Sequence, residues 1–173
     1  MQFFVWLENL SFTQWVHGSE SVWAFPMFLT IHVVAMGLLV GVAIVIALCL
    51  LDYIPEMPLV PMEKLFPLMW VAFGFSAITG VVMFAAEATA KVVTPVFYIK
   101  LVFVALGMMS LLAIRRHVFQ APTATPLSVS SKVKRLAVTS LALWTGAIIS
   151  GRLIAYLQPR HQAWIYRYFG IHV

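Results

Sequence analysis

Four long apolar runs govern what this chain can fold into. They cover 22–51, 65–86, 95–114 and 136–157. A helix needs about twenty predominantly apolar residues to cross a bilayer, and each run is long enough. In hydrocarbon no water is available to satisfy a backbone N–H or C=O, so a spanning segment must bond to itself as a helix or close into a barrel. The runs are continuous rather than alternating, which selects helices. The expected fold class is therefore all-α integral membrane, a four-transmembrane-helix bundle forming a single domain over residues 1–173. Charge supports this. Only 10% of the residues are charged and 62% are hydrophobic, whereas soluble domains are roughly a quarter charged.

The breaks between the runs have their own chemistry. Residues 52–64 hold Pro55, Pro58 and Pro61 with Asp52, Glu56 and Glu63. Residues 87–94 read as a short polar link, and Pro95 then suits a first helical position. Residues 120–131 are rich in Pro, Ser and Thr and read as a loop. Cys49 is the one cysteine. It rules out a disulfide within the chain and any cysteine-based metal or cluster site. No basic segment precedes an apolar core at the N-terminus, so no cleaved signal peptide is expected.

The formal net charge is +5. The basic residues gather at the ends of the runs, which makes the bilayer surface their partner and not nucleic acid. Arg115, Arg116, Lys132, Lys134 and Arg135 flank the third loop and Lys64 the first, against Lys91, Arg160 and Arg167 on the opposite side. Positive residues stay inside. The chain is thus expected in the bacterial inner membrane, multi-pass, with N- and C-termini periplasmic. Both tails are aromatic. Phe3, Phe4, Trp6, Phe12 and Trp15 precede the first run; Trp164, Tyr166, Tyr168 and Phe169 follow the last. Such residues favour the headgroup level. Short interfacial helices are expected at both termini, offering a docking face to a protein partner or a second copy.

An ionisable side chain within a span is costly and marks a functional site by default. His32, Lys100 and Arg152 are the three such residues. At ~1.5 Å of rise per residue, His32 lies roughly 9–14 Å below the outer end of its helix, and Lys100 and Arg152 roughly 8 Å below theirs. Glu87, Thr79 and Ser150 fall nearby, so each span has a polar group for one outward-facing site. Helical spacing places Phe25, Phe28, Ala35, Met36, Leu39 and Ala43 on the face of His32, with Gly37 and Gly41 free to pack a neighbouring helix. The same spacing joins Arg152 to Thr145 and Tyr156.

A histidine among small and aromatic residues in a membrane bundle suits haem b, whose iron takes an imidazole ligand. The anionic propionates then need cations, which Lys100 and Arg152 supply. His117 lies too far along its helix to share that iron. Met36 and Met83 are thioether candidates for the second axial position, and a second copy of His32 is another. Plainer readings also stand. His32 is equally a hydrogen-bonded packing residue, Lys100 a side chain reaching to the headgroups, and Arg152 a partner for Glu87.

The run FPMFLTIHVVAMGLLVG (25–41), the stretch TPVFYIKL (94–101) and SLALWTGAIISGRLIAY (140–156) resemble an uncharacterised bacterial four-helix inner-membrane family, a domain of unknown function. That family is distantly similar to cytochrome b561-like membrane domains. Members often carry an acidic residue before the histidine, where Thr30 precedes it here. The resemblance implies the same fold and singles out His32, Lys100 and Arg152.

The expected function is a membrane-embedded haem b electron-transfer subunit linking the quinone pool to a partner on the periplasmic side. His32 is the metal ligand, and Met36, Lys100 and Arg152 complete the cofactor site. The alternative is a cofactor-free membrane anchor or assembly subunit of a larger periplasmic-facing complex. No constellation for hydrolysis or group transfer is present, so an enzymatic role stays open.

Overall fold

A computed structural model describes residues 2–18, 23–54, 60–119 and 131–157. The described chain is helical: α1 (Gln2–Glu8), α2 (Ser11–Gly18), α3 (Ala24–Leu50), α4 (Leu65–Ala86), α5 (Ala88–Val92), α6 (Pro95–Ile114) and α7 (Ser131–Leu157). A 3-10 turn at Val60–Lys64 leads into α4, and a π turn at Arg115–Phe119 ends α6. Helices α3, α4, α6 and α7 are long and apolar enough to cross a membrane. The protein is a four-span, all-α bundle.

The spans begin and end where physical chemistry dictates. Pro95 occupies the first turn of α6, where its missing N–H would have had no intrahelical partner. Helix α3 ends in a Schellman turn: the Tyr53 amide donates to the Leu48 carbonyl and the Asp52 amide to the Cys49 carbonyl. That turn needs a left-handed residue, and Asp52 supplies it at φ 62°. Asp52 also pairs with Lys134 at the start of α7. Helix α7 accordingly begins at Ser131, five residues before the apolar run that announces it.

Helix α3 packs on α4 and on α7, and α7 packs on α6. The fourth edge, between α4 and α6, is not packed along its length. It is joined near its two ends by side chains. Phe84 stacks on Phe97 at 5.2 Å, and the Arg115 guanidinium lies over the Phe66 ring at 5.5 Å. We refer to the end where α3 begins as the terminal end and to the other as the loop end. The core runs through the loop-end half, with Leu39, Ile46, Leu50, Phe66, Met69, Leu111 and Trp144 buried.

Two glycines set the spacing between α6 and α7. A Cβ on Gly107 would lie 2.9 Å from Trp144, and one on Gly146 would lie 2.8 Å from Phe103. Gly37 and Gly41 behave otherwise. A Cβ on either would meet nothing within 4 Å, so the expected packing of this pair against a neighbouring helix is not found. An apolar groove between α3 and α4, about 210 Å³ and lined by Ile31, Val34, Leu38, Val71 and Phe75 among others, opens on that lipid-facing side.

The N-terminal segment is helical as expected. Helices α1 and α2 rest on the terminal ends of α3, α4 and α5, with Phe4 edge-on to Phe84 and Phe12 edge-on to Phe28. Phe3, Trp6, Phe12 and Trp15 are exposed. The interfacial segment expected at the C-terminus, the loop at 120–130, and the histidines His161 and His172 lie outside the described residues.

Candidate functional site

The link at 87–94 is a built corner, not a plain polar connection. Its centre is α5, with Ala88, Ala90, Lys91 and Thr94 all buried. Two long-range contacts hold it. The Glu8 carboxylate of α1 accepts from the Thr89 amide at 2.9 Å and from the Thr89 hydroxyl at 2.7 Å, which satisfies an otherwise orphaned donor at the start of α5. The Lys91 ammonium turns back to donate to the Met83 carbonyl in the last turn of α4, where a cation meets the negative end of the helix dipole. Lys91 also pairs with Glu87 at 3.3 Å. Burial pushes the Lys91 ammonium below its usual range, and the Glu87 carboxylate works against that shift. Glu87 is therefore the partner of Lys91, and the expected alternative pairing with Arg152 is not formed.

One helical turn below this corner is His32. Its Nδ1 lies 2.9 Å from the Ser76 carbonyl and 3.1 Å from the Thr79 hydroxyl. The Thr79 hydroxyl itself donates to the Phe75 carbonyl at 2.7 Å, which leaves its oxygen lone pair to accept. A carbonyl can only accept as well. The proton of a neutral imidazole is therefore on Nδ1, and Nε2 carries a lone pair. Gly80 allows the close approach, since a Cβ there would lie 3.3 Å from His32 Cε1. With the Nδ1–Cε1 edge against α4, the Nε2–Cδ2 edge is turned away from that helix. No hydrogen bond reaches Nε2 among the described residues.

Lys100 comes from the opposite side of the bundle. Its aliphatic stem crosses Gly151 of α7, with Cε 3.6 Å and Nζ 3.7 Å from where a Cβ would stand. It is half-buried, and among the described residues it has no hydrogen bond or ion pair. The two side chains share a level. Gly80, which faces His32, is four residues inward of Phe84, about 6 Å, and Lys100 is three residues inward of Phe97, about 4.5 Å. Since Phe84 and Phe97 are stacked, His32 and Lys100 lie about one turn beneath the same aromatic pair. Lys100 and Lys91 are both within electrostatic reach of the imidazole.

The remaining expected residues divide. Met36 is half-buried one turn from His32 on the same face of α3. Two residues on one face of one helix cannot take opposite sides of an iron, so Met36 does not complete an axial pair with His32 within one chain. Arg152 does share a stripe with Thr145 and Tyr156, but all three are exposed. The bundle does not bring Arg152 to the His32–Lys100 interior. Ser150 is buried and donates to Gly146 of its own helix at 2.7 Å. His117 is exposed at the loop end, distant from His32.

Sequence reasoning missed Ser76, Gly80, Lys91 and Glu8. The first two carried a signal: Ser76, Thr79 and Gly80 are small or polar residues at spacings of three and four within an apolar span. Glu8 and Lys91 carried none, because their partners are defined only by the folded corner.

Among the described residues no three His, Cys, Asp or Glu side chains converge on a point. A free-standing metal ion is thus not offered a protein cage. What the site does present is one oriented imidazole nitrogen, which fits the single ligand that a haem iron takes from each side. Compared with protein-family models, curated proteins and solved structures, the chain matches none.

Proposed function

We propose that this protein is a membrane-embedded electron-transfer subunit in which His32 ligates the iron of a haem b. One observation carries the reading: Nδ1–H is held by the Ser76 carbonyl at 2.9 Å while Nε2 is left bare. Ligating histidines characteristically donate their other ring N–H to a carbonyl or carboxylate, which fixes the tautomer and raises ligand basicity. A haem supplies one-electron chemistry. The chain supplies the imidazole, its orientation, and Lys100 as a cation for an acidic group. Arg152 joins that role only through a group reaching the outside of the bundle. The second axial ligand comes from another chain, the other copy of His32 being the simplest source. In this reading the terminal end faces the periplasm and the electron partner docks on α1 and α2.

Protein purified in mild detergent from haem-replete cells should give a pyridine haemochrome and a reduced-minus-oxidised α band. Purified protein with no Soret absorbance contradicts the proposal. A cofactor-free anchor is the second reading. It is favoured by the role His32 already has in pinning α3 to α4, and by the clamp of Glu8 on Thr89, which makes a rigid outer platform. That reading predicts no absorbance in the visible range, and loss of a bound partner when Glu8 is replaced.

A further inference from the structure

The unpacked edge between α4 and α6 is closed at both ends and not between them. At the terminal end the Phe84–Phe97 pair spans it, with ring planes 17° apart, and Phe4 of α1 covers Phe84 from outside. At the loop end Arg115 reaches across to Phe66. Between these bridges the two helices stand apart, and this stretch of both helices lies in spans, at hydrocarbon depth. The aromatic pair lies above Lys100 and His32 and seals them from the aqueous phase at the terminal end. The lateral gap lies at and below their level. In a bilayer, the open side of this interior therefore faces lipid and not water.

We propose that this gap is the entrance to a binding site for an isoprenoid quinone, whose head-group carbonyl accepts a hydrogen bond from Lys100 Nζ. The assignment rests on the reading of this interior as the functional site. The chemistry narrows the ligand. It must be soluble in the membrane, because the roof excludes arrival from water. It must carry an acceptor oxygen, because Lys100 is a donor without a partner among the described residues and the ammonium has three N–H groups. It must tolerate an apolar tail leaving between two apolar helices. A quinone meets all three conditions, and a fatty-acid carboxylate is the competing source of the same oxygen chemistry. Lys100 is unlike Lys91 in this respect, since Lys91 is already committed to Glu87 and Met83.

The test is photo-cross-linking in nanodiscs with a short-chain azidoubiquinone, followed by peptide mapping. Label is expected in α4 around 73–84 and in α6 around 95–107, displaced by decylubiquinone and not by oleate. Lys100→Met should lower that label about tenfold or more, the worth of a charge-assisted hydrogen bond, while Lys100→Arg keeps most of it. Phe97→Ala should leave it within about threefold, less than ~0.7 kcal/mol, because the ligand does not pass the roof. His32→Ala protein, which lacks haem in the reading above, should still be labelled, so failure of the haem assignment is distinguishable from failure of this one. Label spread over the outer faces of the spans and indifferent to Lys100→Met overturns the proposal, and so does equal displacement by oleate.

Discussion

A neutral imidazole has one ring proton to place, and at His32 the Ser76 carbonyl decides where it goes. Everything proposed for the site follows from that placement, so residues that hold the ring should matter as much as the ring. Gly80 is the sharpest case. Alanine there puts a Cβ 3.3 Å from His32 Cε1, tighter than ordinary contact, and the imidazole must tilt. The expected outcome is a shifted or broadened haem α band with the protein still folded, read by low-temperature difference spectroscopy. Lys91 permits a prediction in pH. Burial lowers its pKa from the ordinary value of 10.5. The unfolded chain therefore binds a proton that the folded one has released at pH values between the two. Stability should rise as pH increases through the folded value toward 10.5, and level off above it. Lys91→Met should remove that alkaline rise in a thermal-unfolding series in detergent.

At the scale of elements, the helix contacts rest on particular small residues. Gly107→Ala and Gly146→Ala force a methyl into Trp144 and Phe103 at under 3 Å. Each should cost about 1–3 kcal/mol, the usual range for overpacking a tight core. Gly37→Ala and Gly74→Ala meet open space and should stay within about 0.5 kcal/mol. Reversible unfolding in mixed micelles separates the two classes. The corner α5 depends on α1, and Glu8→Ala should cost about 1 kcal/mol as a lost helix cap. Hydrogen exchange at the Thr89 amide should speed up markedly, while amides in the middle of α4 keep their protection. These elements also show what a sequence makes legible. The runs at 65–86 and 95–114 coincide with α4 and α6 because hydrophobicity switches off abruptly at Lys64, Glu87 and Arg115. The start of α7 was not readable, since Lys132, Lys134 and Arg135 look like loop but are helical and tied to Asp52. Helix α5 was not readable either, because Glu8, which caps it, is 81 residues from Thr89.

For the whole molecule, the outward face of a membrane bundle is as apolar as the inward one. Spacing therefore reveals which residues share a stripe but not which way the stripe points. Arg152, Thr145 and Tyr156 illustrate this: their shared face was visible in the sequence and its direction was not. His32 and Lys100 were placed correctly at one level because depth depends only on helix rise, which is fixed. The open edge between α4 and α6 had no sequence signal, since packing order is a property of the assembled bundle. The resulting account is of a bundle with a packed loop-end half and, under an aromatic roof, an interior that holds one bare imidazole nitrogen and one unpaired lysine. Its central claim is that His32 Nε2 binds iron. The most direct measurement compares Soret absorbance per chain in the wild type, His32→Ala and His117→Ala, each confirmed to be membrane-inserted and monodisperse. The account predicts that His32→Ala loses the band and His117→Ala keeps it; full Soret absorbance in His32→Ala contradicts it.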